Sequence, residues 1–209
     1  MTKRIILAAL AATFAAPVSA QAPAAAIAPA APGALASKDD LVRVAIYTDK
    51  GRIVVALDRG RAPLTTANFL AYVDKGWLNG QPFYRAMPFG DGGLIQGGVR
   101  DGGKQLPPIV IEKTIDTGLK NVAGAIVMAN NGGKTTRSDF FILTADIPSL
   151  DATATAPGFA PFGRIVEGMD VVKAILAAPR SPTKGEGVMK GQMLEPVVKM
   201  AKVVRVRPL

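Results

Sequence analysis

Between residues 41 and 209 the chain advances in short runs whose apolar side chains fall on every second position. That period of two is its strongest constraint on fold, because alternate residues of a strand point to opposite faces. Val42, Val44 and Ile46 alternate with Arg43, Ala45 and Tyr47, which predicts a strand buried on one face. Asp49-Lys50-Gly51 reads as a tight turn, and the apolar pattern returns over 53–57, so the region opens with a hairpin. Further short strands are predicted at 83–85, 94–96, 109–112, 125–129, 140–143 and 162–166, with a long closing strand over 197–206. Two helices interrupt them. One starts at Pro63, runs through residue 75 with Leu64, Ala67, Leu70 and Val73 on its buried face, and stops at Gly76. The other covers 169–178 and ends at Pro179. Many short strands, two helices and glycine-rich connections predict a mainly β domain, a closed antiparallel barrel capped by the helices.

The residues before this region differ in kind. Lys3 and Arg4 precede an apolar stretch over 5–16, and Val18-Ser19-Ala20 supplies small residues, the layout of a cleavable signal with the cut after Ala20. The apolar stretch is shorter than the ~20 residues that span a bilayer. An exported protein with no membrane span after cleavage is expected, and the short apolar core suits a periplasmic destination, with extracellular release as the alternative. Residues 21–40 are mostly Ala and Pro, with Pro23, Pro29 and Pro32, and read as an extended linker. The expected organisation is a signal peptide at 1–20, a linker at 21–40 and one folded domain at 41–209, acting as a monomer.

The sequence contains neither histidine nor cysteine. That excludes Ser-His-Asp and Cys-His nucleophiles, thiol redox chemistry, disulfides and Cys/His metal sites. Asp49, Asp91, Asp101 and Asp151 lack calcium-loop spacing, and the Gly97-Gly98 and Gly102-Gly103 pairs belong to no phosphate loop. No cofactor is implied. The net charge of +9 becomes +7 once Lys3 and Arg4 leave with the signal. Lys199, Lys202, Arg205 and Arg207 form the densest basic set, without interleaved aromatic residues, so no nucleic-acid partner is expected.

Three ordered blocks narrow the reading. Phe83-Tyr84-Arg85 followed by Leu94-Ile95-Gln96-Gly97-Gly98, then Met128-Ala129-Asn130 with Ser138-Asp139-Phe140-Phe141-Ile142, then Leu150-Asp151 and the run from Phe162 to Val172 resemble the signatures of cyclophilin-type peptidyl-prolyl cis-trans isomerases. The resemblance spans the whole expected domain. It implies an eight-stranded barrel with a helix over each end, catalysing rotation about X-Pro bonds in exported or unfolded proteins and so assisting their folding. It places Arg85 at the catalytic arginine and Gln96 at the glutamine that positions it. Asn130 and Ala129 then lie on the substrate-binding strand, and Phe141 and Leu150 in the proline pocket.

This chemistry has no need of histidine or cysteine. The amide barrier of ~18–20 kcal/mol falls when a twisted amide is stabilised electrostatically, and a guanidinium is a suitable donor. The sequence also departs from the family pattern. Extra residues separate Arg85 from Gln96, and the usual pocket aromatic falls at Gly93, beside Leu94. Phe89 is the expected substitute. Asp139 replaces a glutamine and is expected to meet Arg85, either fixing it or drawing it from substrate, with weakened activity as the consequence. Ser149 stands where a tryptophan is usual, and Phe159, in a lengthened segment over 152–161, is expected at an aromatic position of the pocket. The competing expectation is a proline-peptide-binding chaperone or scaffold with weak or no isomerase activity.

Overall fold

The computed structural model describes Asp40 to Val206, apart from Asn131 and Lys134. The expected signal peptide, and the linker up to residue 39, lie outside the described residues. The opening hairpin pairs β1 (Leu41–Thr48) with β2 (Gly51–Asp58) in uninterrupted antiparallel register, Ile46 facing Ile53 and Val44 facing Val55. After α1 (Pro63–Asp74) come β3 (Pro82–Phe89), β4 (Gly92–Gly97), β5 (Ile109–Val110) and α2 (Thr114–Thr117). The chain continues through β6 (Ala125–Met128), β7 (Thr135–Thr136), β8 (Phe140–Leu143) and β9 (Ala160–Glu167). It finishes with α3 (Met169–Leu176), β10 (Arg180–Ser181) and β11 (Met193–Val206).

The strands neighbour one another in the order β1-β2-β9-β6-β8-β4-β3-β11, and β11 returns to β1, closing an eight-stranded antiparallel barrel. Closure leaves no open edge along its wall. β10 adds to β11 alone, while β5 and β7 form a separate two-stranded ribbon. Side chains from alternate positions fill the interior. Ile46, Ile53, Phe83, Ile95, Ile126, Phe140, Ile142 and Phe162 belong to one buried cluster.

The two longer helices close opposite ends. At one end β2 leads into α1, whose Phe69 ring lies 5.3 Å from both Phe140 and Phe162. At the other, Val171 of α3 sits over Gly51, the first residue of β2, and Val172 and Ile175 join the interior cluster. α2 is a third, short helix beyond the two expected from sequence, and β7 and β10 are two-residue strands that carry too little pattern to be read.

The buried face of α1 is also corrected. Leu64 and Ala67 are exposed, whereas Thr65, Thr66, Asn68, Phe69, Tyr72 and Val73 face inward. Tertiary contacts decide this orientation. The Glu112 carboxylate accepts hydrogen bonds from the Leu64 and Thr65 amides at 3.1 and 2.7 Å, satisfying donors at the helix start. Asn68 Nδ2 donates to the Arg137 carbonyl at 2.6 Å.

Candidate active site

The wall made by β3, β4, β8 and β6 is buried on both sides. Inward residues belong to the barrel core. The outward residues Leu94, Ala125, Val127, Phe141 and Leu143 join Ile147 in a second apolar cluster, against which Met87, Ala129, Leu150 and Phe159 pack. Strand alternation separates the two sets: Phe140 and Ile142 point in, Phe141 and Leu143 point out. The Phe159 ring meets Phe141 edge-on with centroids 5.4 Å apart, and the Phe159 amide donates to the Leu150 carbonyl at 2.9 Å. Thus five of the expected substrate-binding residues, Leu94, Ala129, Phe141, Leu150 and Phe159, converge on one surface.

Arg85 reaches this surface through an irregularity. Phe83 pairs with Gly97 and Arg85 with Gln96, so β3 carries one extra residue at Tyr84. This bulge lets Phe83 and Ala86 both enter the core while Arg85 and Met87 share the outer face with Gln96 and Leu94. The guanidinium is half-buried and held on several sides. Its Nη1 donates to Gln96 Oε1 at 2.9 Å, Nε to Gln192 Oε1 at 2.8 Å, and Nη2 points to Met87 Sδ at 3.4 Å. A guanidinium has five N–H groups, so these contacts fix its plane and leave two donors for a ligand. Burial pulls the Arg85 pKa below the ordinary guanidinium value, with the nearby Tyr84 acting in the opposite sense. Arginine remains charged under any physiological condition.

Asp139 does not meet Arg85. Its carboxylate lies 3.8 Å from the Arg100 guanidinium, which in turn stacks over the Tyr84 ring at 4.6 Å. Burial pushes the Asp139 carboxyl above the ordinary carboxylate range, and Arg100 and Tyr84 partly offset that rise. Burial likewise raises the Tyr84 phenol, with the Asp139 charge adding to it. The expectation that Asp139 neutralises Arg85 is therefore corrected: both guanidinium contacts with oxygen are to neutral amides. A side chain at Gly98 would place Cβ 2.1 Å from Asp139 Oδ1, so this glycine is what admits the carboxylate.

Phe89 is the second correction. The extra residues between Arg85 and Gln96 extend the β3–β4 ladder, pairing Pro88 with Gly93 and Phe89 with Gly92, and only Gly90-Asp91 form the turn. Phe89 thus ends up 54% exposed at the far tip of the hairpin, away from the pocket. Gly93 has φ +143°, and a Cβ there would lie 2.0 Å from the Met87 carbonyl oxygen. No side chain fits at the position of the missing aromatic.

Asn130 extends the rim beyond β6. Its Nδ2 donates to the Gly158 carbonyl at 2.9 Å and its Oδ1 accepts from the Gly132 amide at 2.8 Å. The Ala129 amide donates to the Asp139 carbonyl at 2.8 Å, continuing the pairing of β6 with β8. Two contributors escaped sequence reasoning. Met87 was recoverable, lying two residues beyond Arg85 on the same strand face. Gln192 was not, since 107 positions separate it from the arginine it holds.

A charged donor fixed by neutral amides thus lies beside a partly covered apolar cluster on the outer wall of a closed barrel. Residues 43–204 match the family model for cyclophilin type peptidyl-prolyl cis-trans isomerase. The chain is 34% identical over 166 residues to peptidyl-prolyl cis-trans isomerase A of Dickeya dadantii, covering 78% of this chain and 84% of the relative. It is 34% identical over 167 residues to an isomerase of Streptomyces antibioticus, covering 77% of this chain and 98% of that one. A crystal structure of a cyclophilin type isomerase from Cryptosporidium parvum, determined in the presence of the dipeptide Ala-Pro, shares the fold. Its TM-score is 0.65 at 22% identity, with 79% of this chain and 99% of the other covered. The chain belongs to the cyclophilin family of peptidyl-prolyl cis-trans isomerases.

Proposed function

We infer that this chain is a peptidyl-prolyl cis-trans isomerase that acts, as a monomer, on X-Pro bonds of exported proteins in the periplasm and so assists their folding. The observation that carries the catalytic reading is the Arg85 guanidinium, gripped by Gln96 and Gln192 at the border of the outer apolar cluster. The proline ring enters between Phe141, Leu94, Met87 and the Leu150–Phe159 wall, where burial of its methylenes supplies binding. Gln96, Ala129 and Asn130 meet the adjoining peptide backbone.

Rotation about the X-Pro bond breaks the resonance that keeps the amide planar and localises a lone pair on the proline nitrogen. Arg85 offers N–H groups to that developing acceptor. Because the amide contacts already fix the guanidinium plane, little reorganisation is needed when the bond twists, and preorganised donors act where charge develops. No covalent bond forms, and every proton stays in place. A chaperone that only binds would not need the fixed donor beside the pocket, so the catalytic reading is preferred.

The periplasmic assignment rests on Lys3, Arg4, the apolar 5–16 stretch and Val18-Ser19-Ala20. Exchange NMR on an Ala-Pro peptide tests the activity: addition of the chain should accelerate cis-trans exchange, and an unchanged rate contradicts the assignment. Cell fractionation and N-terminal sequencing test export. A periplasmic product beginning at Gln21 is expected, and a cytoplasmic full-length chain would overturn that part.

A further inference from the structure

On the side of Gln96 away from the apolar pocket the surface opens into a groove of about 500 Å³. Gln96, Ala129 and Asn130, already part of the site, form one border; Arg100, Arg137 and Asp139 supply its charges. These charges are unequally presented. The Arg100 side chain is 57% exposed and Asp139 only 35%, behind it. Arg137 is exposed, and its Nη1 donates to the Leu106 carbonyl at 3.1 Å. Arg100 is braced differently, by its stack over Tyr84. Arg137 is thus tethered through one nitrogen, while Arg100 lies between the Tyr84 ring and the Asp139 carboxylate; both keep further N–H groups, so the groove offers two cations against one recessed carboxylate.

We propose that this groove makes the enzyme selective for prolines flanked by an acidic residue, whose carboxylate is taken by Arg100 and Arg137. The inference rests on the isomerase reading and adds the substrate class. A peptide whose proline ring occupies the Phe141 pocket must pass Gln96 and Asn130, which brings a neighbouring side chain over the groove. A carboxylate there forms charge-assisted hydrogen bonds with the two forks, while an ammonium meets like charge. Exposed pairs of this kind are individually weak, so the combined preference should be about fivefold rather than orders of magnitude, and salt should reduce it.

The test uses the mature chain and Ala-Pro peptides carrying Glu, Gln or Lys at positions just before or just after the Ala-Pro unit. Both kcat/KM and equilibrium binding by fluorescence anisotropy are read. On one side of the proline, Glu should exceed Lys by about fivefold at low salt. That ratio should collapse toward one in Arg100→Gln/Arg137→Gln and widen in Asp139→Asn, which removes the recessed negative charge. Should the double variant misfold by circular dichroism, Arg137→Gln alone should lower the ratio. Equal or reversed binding of Glu and Lys peptides on both sides overturns the proposal. Loss of turnover with every peptide, alongside a retained Glu preference in binding, would instead overturn the isomerase reading and leave this one standing.

Discussion

Phe140 and Phe141 are consecutive residues of β8, and both are almost wholly buried, at 0% and 3% exposure. Phe140 touches the rings of Phe69 and Phe83 inside the barrel, whereas Phe141 lies under Phe159 on the outer wall. The interior cluster is enclosed by eight strands and two helices. The outer one is covered by the segment around Ile147, Leu150 and Phe159 and has partly exposed members. Equal burial therefore conceals unequal roles. A side chain that only the barrel can surround serves stability, while under the proposed function one whose cover can share contact with a ligand serves binding.

The contrast breaks most sharply by truncation. Phe140→Ala opens a cavity that the closed barrel cannot collapse, and should cost about 3–5 kcal/mol of unfolding free energy. Chemical denaturation reads this directly. Phe141→Ala should cost less, about 2–3 kcal/mol, because its cover can settle inward. It should nevertheless lower kcat/KM for an Ala-Pro peptide by about tenfold or more, mainly through KM, as a pocket wall is lost. Equal stability losses in the two variants would remove the distinction between the clusters.

Gln192→Ala probes the outer wall without touching the pocket itself. Losing the acceptor at Arg85 Nε frees the guanidinium plane, and kcat should fall about tenfold with KM little changed. Gln192→Glu, which retains an oxygen acceptor but places a charge there, should restore the orientation without the full rate. A fall confined to KM would show that Gln192 shapes the pocket and does not position Arg85.

The smallest effect concerns pH. The Asp139 carboxyl is raised in the folded chain, so its protonated form is favoured by folding. Its contribution is complete below the unfolded carboxyl value, about pH 4, and is lost as pH rises through the higher folded value. Asp139→Asn should therefore flatten the stability profile over that acid range and raise the neutral-pH Tm, by on the order of 2 °C. Catalysis should behave differently from stability. With no histidine present and Arg85 permanently charged, kcat/KM should stay level between about pH 6 and 9. A bell-shaped profile would point to an unrecognised titrating group.

Much of this arrangement is legible in the sequence. The β1–β2 hairpin, the span of α1 between Pro63 and Gly76, and the convergence of Leu94, Phe141, Leu150 and Phe159 follow from alternation, punctuation and the ordered family blocks. The misreadings have local causes. The inward face of α1 carries Thr65, Thr66 and Asn68, whose polarity hides it from a hydrophobic pattern. Phe89 looked close to Gln96 in sequence, but the extra residues lengthened a ladder and carried it to the tip. Asp139 belongs to the same family blocks as Arg85, yet its partner is Arg100, which stacks on Tyr84, a pairing that no sequence spacing signals. Gln192 has no sequence signal, since its contact exists only once β11 closes the barrel.

Under the proposed function, acceleration of X-Pro rotation comes from Arg85, oriented by neutral amides beside the outer apolar cluster. The most direct test is exchange NMR on an Ala-Pro peptide with Arg85→Ala, alongside thermal unfolding of the same sample. Losing the preorganised donor should lower kcat/KM by about 10²–10³-fold while Tm stays close to that of the parent chain. A folded Arg85→Ala protein that retained full kcat/KM would contradict it.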